Sequence, residues 1–521
     1  MAGPERLDRR TLLRLAVAAA ATSWIPRSAW SQPRLADDPF VLGVASGDPL
    51  PDSVVLWTRL AAPGLAAQPI TVRWEIAEDE AFQRIVRRGQ AEALPALAHS
   101  IHVEAGGLAP DRPYWYRFQA GDWVSPVGRT RTLPAADALP QRLRLAYASC
   151  QRWEHGYFGA YRHMRADAPD FVLFLGDYIY EYPGAARAVR RGTGQWAVTL
   201  EQYRERHALH KSDPDLQAMH SACPWLFTWD DHEVRNDYAG LQGDEDGEAP
   251  QDFAARRAAA CQAYYEHLPL RASVLTRALE GLASGAELRL YREQRFGRLA
   301  QLCLLDTRQY RSGHACSPAG RTSGLLDPAQ CAAWNDPART LLGAEQERWL
   351  EARLAAGGAT WTLLGQATLF GQRDFPRGPR RLLWNDGWDG YPAARQRLLG
   401  ALQRHRPANP VLLGGDVHEN WIGHVKADYR RPDSEALGVE FCGTSLTSRP
   451  SEVDRLPQRL AANPHFIHAD AARRGYGLAE FTPARLEVSL RTLEDVTKRD
   501  SAIATEARFV VQAGRAVVER A

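Results

Sequence analysis

The sequence lacks two features that would each mark a class of protein. It has no excess of one charge, because 64 Lys and Arg against 62 Asp and Glu leave a formal charge of +2, whereas nucleic-acid-binding domains carry a clustered basic footprint. It also has no apolar run of about 18 residues, the length that a membrane-spanning helix needs. We therefore expect no specific nucleic-acid binding and no transmembrane segment in the mature protein.

What the sequence does have is length and apolar content. Its 521 residues are 45% hydrophobic, which is enough to bury a sizeable core. The chain exceeds the roughly 100–200 residues of one ordinary domain. We therefore expect more than one domain.

The first 31 residues have the pattern of an export signal rather than of a folded element. Arg9 and Arg10 precede the apolar run Leu15–Ile25, which is too short to span a bilayer, and Ala29-Trp30-Ser31 provides a small-x-small cleavage site. The paired arginines resemble a twin-arginine signal; an ordinary Sec signal is the alternative. We predict that residues 1–31 are recognised by the twin-arginine export machinery, which places the mature protein in the periplasm or outside the cell.

The cysteine count is odd, at seven. In an exported protein an odd count leaves at least one thiol outside intramolecular disulfides. Cys316 and Cys331 flank a loop rich in Gly, Pro and Ser and could form a disulfide. The sequence gives no other connectivity.

Residues 39–134 carry the pattern of an all-β domain. Short alternating or β-branched segments, separated by Pro, Gly and Asp, predict strands at Ser53–Leu60, Ile70–Ala77, His99–Glu104 and Tyr114–Gln119. Leu108 and Pro110, shortly before Tyr114, are typical of the tyrosine corner of immunoglobulin-like sandwiches. We predict an N-terminal β-sandwich of the immunoglobulin or fibronectin type without a catalytic constellation; another small β-domain is the alternative.

Residues 141–511 alternate between short apolar runs and helical patterns, which predicts an α/β domain. The predicted strands are Leu143–Ala148, Phe171–Leu175, Trp225–Thr228, Thr360–Leu364 and Val411–Leu413. The predicted helices are Gly156–Asp167, Glu345–Ala355 and Ala393–Arg406. Hairpin-like pairs of segments, such as Leu478–Thr482 with Arg485–Arg491, predict mixed sheets.

Polar residues follow several of these strands directly. Cys150 follows the first, Asp177 the second, Asp230 to Glu233 the third, and Asp416 and His418 the last. The carboxyl ends of strands form the functional crevice of α/β sheets. Thiol, carboxylate and imidazole groups at several strand ends therefore predict one convergent metal site.

The spacing of Asp177 and Tyr180 lets a carboxylate and a phenol reach one ion. Phenolate and thiolate are unusual ligands for Mg²⁺ or Ca²⁺, which prefer carboxylate, carbonyl and water oxygens. They suit a transition metal, and phenolate with carboxylate suits trivalent iron. In Asp416-x-His418, the two side chains could serve adjacent ions.

Together these motifs resemble the metallophosphoesterase superfamily, and more closely the PhoD-type alkaline phosphatases. The segments that carry the resemblance are Val44–Asp48, Val55–Arg59, Ala148–Cys150, Leu175–Tyr182, Trp229–Asn236, Leu305–Arg311 and Gly414–Glu419. The match spans nearly the whole mature chain. It implies an α/β/β/α metallophosphoesterase sandwich after the N-terminal domain, and a site that holds Fe³⁺ and Ca²⁺, with Zn²⁺ or Mn²⁺ as alternatives.

The resemblance also assigns metal ligands. It places Cys150 and Tyr180 on iron, Asp177 between the two ions and Asp231 on the second ion. The pair Asp416 and His418 replaces the superfamily's final two histidines, and the exchange of one imidazole for a carboxylate favours a hard ion such as Ca²⁺. An inert buried thiol at Cys150 and a cleft-wall aromatic at Tyr180 are the structural alternatives.

The implied reaction is attack of a metal-bound hydroxide on phosphorus, with Asp177 and His232 as catalytic residues. His232 would stabilise or protonate the leaving oxygen. Four further residues are expected to orient the ligands or to contact the substrate: Asp230, Asn236, Arg311 and Gln366.

The predicted function is therefore a secreted alkaline phosphatase that hydrolyses phosphomonoesters and phosphodiesters and releases phosphate. One alternative is a phospholipase D-like phosphodiesterase, an activity that the same family includes. The other alternative is a non-catalytic exported binding protein. The intact set of acidic and histidine residues in the motifs argues against it. The preferred ester and the oligomeric state do not follow from the sequence.

Overall fold

The computed structural model describes residues 35–521, apart from residues 66, 185–186, 244–248, 277–287, 319–320, 377, 379 and 451–452. The predicted signal peptide, residues 1–31, lies outside the described residues. Within the described part of the chain, no helix combines the length and the apolar character needed to cross a membrane.

The regular elements are many and short. The strands are β1 Val44–Leu50, β2 Ser53–Arg59, β3 Ile70–Ala77, β4 Ile85–Ala93, β5 Ser100–Gly106, β6 Pro113–Ala120, β7 Trp123–Val124, β8 Gly128–Arg131, β9 Leu143–Ala148, β10 Phe171–Leu175, β11 Trp225–Thr228, β12 Arg292–Phe296, β13 Ala300–Leu304, β14 Leu325–Leu326, β15 Trp361–Gly365, β16 Leu383–Trp384, β17 Pro410–Gly414, β18 Asn420–Lys426, β19 Ala436–Cys442, β20 Phe466–Asp470, β21 Arg474–Phe481, β22 Arg485–Leu493, β23 Ile503–Gln512 and β24 Glu519–Arg520. The helices are α1 Ala160–Ala166, α2 Leu200–Lys211, α3 Pro214–His220, α4 Pro250–His267, α5 Ser273–Thr276, α6 Ala344–Ala356, α7 Pro392–His405 and α8 Leu456–Ala462.

The chain divides into two compact units. Counting only the described residues, the first comprises the chain up to Ala135 together with Val198–Leu226 and Ala258–Arg289. The second comprises Ala136–Ala197, Phe227–Arg257 and Leu290–Ala521. The domain bounds drawn from the sequence stay a prediction. In the structure, two later segments join the N-terminal strands in one unit.

The N-terminal strands of the first unit form two antiparallel layers. One contains β1, β2 and β5, and the other contains β4, β3 and β6 with β7 and β8. Apolar side chains from both layers share one core, including Leu56 and Ile101 from the first and Val72 and Ile76 from the second. The Tyr114 hydroxyl accepts a hydrogen bond from the Ala109 N–H at 2.8 Å, as the predicted tyrosine corner requires. The predicted β-sandwich is confirmed.

The second unit contains two mixed sheets. One has the strand order β24-β23-β22-β21-β9-β10, with β9 and β10 parallel, and the other has the order β12-β13-β15-β17-β19-β18-β20, with β13, β15, β17 and β19 parallel. The predicted mixed α/β architecture is confirmed.

Side chains from the two sheets meet in the interior of this unit. The ring of Trp361 in β15 packs edge-on against the ring of Phe481 in β21, with 5.8 Å between the ring centroids. The ring centroids of Phe441 in β19 and Phe509 in β23 lie 6.3 Å apart. Strand β10 is buried at all five positions, which explains its uninterrupted apolar sequence.

Helices α6 and α7 bury apolar faces against the second sheet. Leu350 and Leu398 share a core with Leu364 and Leu412 of the central strands, while α1 packs against β21 on the first sheet. The layers therefore follow the predicted helix–sheet–sheet–helix order.

The bond between Cys316 and Cys331 is present, as the sequence allowed. The five other cysteines, including Cys150, are buried and lie outside this disulfide.

Candidate metal centre

Four of the predicted ligands stand just past strand ends in a left-handed backbone conformation. The φ angle is 57° at Cys150 after β9, 57° at Asp177 after β10, and 67° and 56° at Asp416 and His418 after β17. This conformation is uncommon for residues other than glycine. Such strain concentrates at functional sites, where the surrounding structure holds it.

Glycine lets the acidic loops approach one another. Gly176 has a φ of 96°, and a Cβ atom placed on it would lie 2.6 Å from the Asp230 Cβ. Any larger residue would push apart the end of β10 and the loop that follows β11. Gly176 therefore brings Asp177 close to Asp230 and Asp231.

Four of the predicted ligands, together with the predicted catalytic residue His232, lie in two overlapping groups, whereas Asp416 lies in neither. One group contains Cys150, Asp177 and His418, and the other contains Asp177, Asp231 and His232; within each, the potential ligand atoms lie within 4.8 Å of one another. Asp177 belongs to both groups, the position expected of a residue between two ions. The described residues thus contain metal-binding geometry where the sequence predicted it.

Tyr180 lies at the centre of the first group. Its hydroxyl donates to Asp177 Oδ2 at 3.0 Å and lies 3.2 Å from His418 Nε2. The other nitrogen of His418, Nδ1, lies 2.8 Å from the Arg449 carbonyl oxygen, which leaves Nε2 directed at the group. A histidine ligand commonly donates its second N–H to a carbonyl in this way.

Three buried carboxylate oxygens in this region accept no hydrogen bond: Asp177 Oδ1, Asp230 Oδ2 and Asp231 Oδ1. A buried charged oxygen without a partner is strongly destabilising unless a cation compensates it. Together with thiol, phenol and imidazole groups, the donors fit a bound metal ion, and their mixed character suits a transition metal beside a harder ion.

Asp177, Asp416 and Cys150 lie in an environment that opposes their ionisation. Burial raises the pKa of the Asp177 carboxyl and of the Cys150 thiol well above their usual ranges. Burial, followed by the charge of Asp386, raises the pKa of Asp416 to about 6. A nearby cation reverses such shifts, because it favours the charged form of each ligand.

His232 is held by a carboxylate that the sequence analysis did not single out. Its Nδ1 lies 2.8 Å from Glu181 Oε2, and Glu181 Oε1 accepts the Asn236 N–H at 2.7 Å. Burial alone would lower the pKa of His232, but Asp231 and Glu181 outweigh it and raise the pKa well above the usual value. With Nδ1 occupied, Nε2 is the nitrogen left to meet a substrate.

Arg308 organises a buried ionic network behind the ligands. Its Nε donates to Asp230 Oδ1 at 2.5 Å, and its two terminal nitrogens donate to Asp386 at 2.7 and 2.8 Å. Arg311 donates to the same carboxylate at 2.8 Å and to the Thr307 carbonyl at 2.6 Å. Burial would raise the pKa of Asp386, but Arg308 and Arg311 hold it well below its usual range. Arg311 therefore binds protein groups, and Asp230 is oriented by Arg308.

Gln366 lies beside Asp416 with its side-chain amide engaged. Its Oε1 accepts from the Thr368 N–H at 3.1 Å and from the Trp388 indole at 3.2 Å, and its amide nitrogen donates to the Thr368 carbonyl. The Thr368 hydroxyl donates to Asp416 Oδ2 at 2.6 Å. Gln366 thus supports the turn that positions Asp416. The Asn236 side chain is half-buried at the edge of the site.

Sequence reasoning missed three groups that position the candidate ligands. Glu181 lies within the motif segment Leu175–Tyr182, so an acid beside the metal motif was the available signal. Asp386 lies in a loop far along the chain and had no such signal. Neither had Ser448, whose hydroxyl lies 2.7 Å from the Tyr180 hydroxyl and 2.9 Å from the Cys150 carbonyl oxygen.

Comparisons with known proteins agree with this geometry. Residues 145–490 match the PhoD-like phosphatase family and residues 26–134 match the PhoD-like phosphatase N-terminal domain. The chain is 44% identical over 493 residues to alkaline phosphatase D of Bacillus subtilis (strain 168), covering 92% of this chain and 82% of that protein. A solved structure of PhoD superposes with a TM-score of 0.88 at 43% identity, covering 94% of this chain and 93% of that chain. The chain therefore belongs to the PhoD-like phosphatase family and is an enzyme that hydrolyses phosphoric esters.

Proposed function

We propose that the chain is an exported alkaline phosphatase that hydrolyses phosphomonoesters and phosphodiesters with the help of Fe³⁺ and Ca²⁺. The observation that carries this proposal is the sharing of Asp177 by two ligand groups. A bridging carboxylate is what a two-metal phosphoesterase needs to hold its ions at a short separation.

The two proposed ions would have different sets of ligands, with Asp177 common to both. Cys150, Tyr180 and Asp177 would hold Fe³⁺, with His418 beside them. Asp177, Asp231 and Asp416 offer carboxylate oxygens, which Ca²⁺ prefers. The Cys150 thiol belongs to one ligand group of Asp177 and the Asp231 carboxylate to the other, which supports two chemically different positions. Zn²⁺ or Mn²⁺ are the alternative occupants.

Side chains of the protein have the remaining roles in the reaction, which are proton transfer and positioning. Bound ions supply an activated water and neutralise charge on the phosphoryl oxygens. His232 carries the proton for the leaving oxygen, and Asp231 and Glu181 raise its pKa against the effect of burial. Glu181 fixes the ring so that Nε2 faces the substrate. Arg308, through Asp230 and Asp386, keeps the acidic loops in place.

A substrate panel tests the proposal. We expect hydrolysis of p-nitrophenyl phosphate and of its bis ester at alkaline pH, stimulation by Ca²⁺, and loss of both activities on strong chelation. A phospholipid in the same panel tests the phospholipase D-like alternative. Undiminished turnover in a verified metal-free preparation would rule out the metal mechanism.

Export is proposed from residues 1–31 alone. Arg9 and Arg10 precede an apolar stretch as a twin-arginine signal requires. Replacing both with Lys in the full chain should retain the activity in the cytoplasm. Unchanged periplasmic activity would instead favour the Sec route.

A further inference from the structure

Trp196 is the one exposed tryptophan in the described chain, with 47% of its surface accessible. A single exposed apolar side chain is normal and needs no explanation by itself. The backbone beside this one, however, is firmly anchored. Ala197 is buried, its N–H donates to the Glu181 carbonyl at 2.6 Å, and its carbonyl accepts from Arg256 at 2.9 Å.

The ring of Trp196 is the outer end of an aromatic surface that begins at His232. The His232 and Tyr182 ring centroids lie 5.1 Å apart, and those of Tyr182 and Trp196 lie 5.7 Å apart. The guanidinium carbon of Arg152 lies 4.2 Å from the centroid of the Tyr182 ring. Its Nη1 donates a hydrogen bond to the Tyr182 hydroxyl at 3.1 Å. Tyr182 is thus held in place, and Trp196 extends its surface into solvent.

The geometry of His232 determines which part of a substrate meets this surface. Its Nδ1 is bound to Glu181, so a leaving oxygen must approach Nε2 to within roughly 2.6–3.2 Å to receive a proton. The group attached to that oxygen then starts beside the His232 ring. The Tyr182 ring lies beside the His232 ring, and the Trp196 ring continues from it to the protein surface.

We propose that Tyr182 and Trp196 form the leaving-group subsite of the enzyme. This subsite selects phosphate esters whose alcohol part is aromatic or has another flat apolar face, because offset and edge-on ring contacts at these distances are favourable. The proposal rests on the proposed role of His232 as the proton donor to the leaving oxygen.

The test compares one variant on two substrates. Trp196→Ala should lower kcat/KM for 1-naphthyl phosphate roughly 3- to 10-fold, the range expected for loss of one aromatic contact, mainly through KM. With methyl phosphate the change should stay within about twofold, as expected when no aromatic contact is lost. Because each ratio compares variant with wild type on the same ester, the intrinsic reactivity of the ester cancels. Trp196→Phe should restore most of the loss, and Val198→Ala, which removes another exposed apolar side chain, should change neither substrate.

Inhibitors provide a binding readout without chemistry. Phenylphosphonate should inhibit Trp196→Ala more weakly than wild type, and methylphosphonate should inhibit both equally. An equal loss for aryl and methyl compounds, or no loss for either, overturns the subsite. Failure of the wild-type protein to hydrolyse any of these esters would instead refute the proposed function itself.

Discussion

Two groups of buried acids are compensated in different ways, although the Gly414–Glu419 motif contributes a residue to each: Glu419 to one and Asp416 to the site around Asp177. Glu419 accepts hydrogen bonds from Arg459 at 2.6 and 3.0 Å, from Arg373 at 3.0 Å and from the Trp421 indole at 2.8 Å. The cluster around Asp177 instead has buried carboxylate oxygens without any donor.

The difference separates structural acids from functional ones. A buried carboxylate that is paired with two arginines needs no further cation, and removing the carboxylate would leave the charges of the arginines uncompensated. Several buried carboxylates without enough cationic side chains need a cation from outside the protein. Both clusters contain residues of the Gly414–Glu419 motif, so the motif alone does not separate the two roles.

The strongest test of this contrast exchanges one acid in each cluster for its amide. Asp177→Asn should abolish measurable turnover while the protein stays folded, because it removes the carboxylate shared by both ligand groups. Glu419→Gln should lower the free energy of unfolding by about 3–5 kcal/mol, since it leaves buried arginines unpaired. Its folded fraction should keep the wild-type turnover.

Urea unfolding and kcat measured on both variants check this pair. A Glu419→Gln protein that is stable but inactive would contradict the division. So would an Asp177→Asn protein that remains active.

Removal of the proton donor should have the next largest effect. His232→Ala should reduce kcat by about 10²- to 10⁴-fold, the usual contribution of a general acid, with metal content unchanged. Elemental analysis alongside kinetics separates a lost proton donor from a lost ion. Turnover close to that of wild type would remove His232 from the mechanism.

Glu181→Gln should have a smaller effect with a characteristic pH signature. Glu181 is one of the charges that raise the pKa of His232, so its neutralisation lowers that pKa. The protonated ring is then lost at lower pH, and the alkaline limb of the kcat profile moves to lower pH, with a rate loss of roughly 10-fold as for other orienting groups.

The matched control for Glu181 is Glu351→Gln, at an exposed carboxylate paired with Arg404. This variant should leave the pH profile unchanged. An alkaline limb that does not move in Glu181→Gln would show that Glu181 does not tune His232.

The smallest expected effect is a change in the visible absorption spectrum when Tyr180 is replaced. Ferric phenolate absorbs visible light, whereas Zn²⁺ has a filled d shell and no redox chemistry. Tyr180→Phe keeps the ring and its packing but removes the ligand oxygen, so it should shift or erase the visible band with little change in stability. Cys150→Ser should weaken iron retention. An absorption spectrum unchanged in Tyr180→Phe would exclude Tyr180 as an iron ligand.

The fold was largely predictable because its strands are apolar runs that end at turn residues. The bounds predicted for β3, β9, β10 and β11 agree with the structure, and β15 is displaced by one residue. Strand-end positions also predicted that Cys150, Asp177 and His418 would meet, since neighbouring strands end at the same edge of the fold.

The groups that orient the ligands were less predictable. Asp386 reaches Arg308 from a distant loop, so no local period or spacing indicates it. Arg311 was expected to orient the ligands or to contact the substrate. Its guanidinium binds Asp386 and the Thr307 carbonyl, and no local spacing indicates the pairing with Asp386. Pairing between loops is a tertiary property, whereas strand ends follow from local pattern.

Metal analysis of the purified protein tests the central claim most directly. We predict stoichiometric iron and calcium in the wild-type protein, loss of both in Asp177→Asn and retention of both in the folded fraction of Glu419→Gln. A fully active wild-type protein with no bound metal would contradict the account.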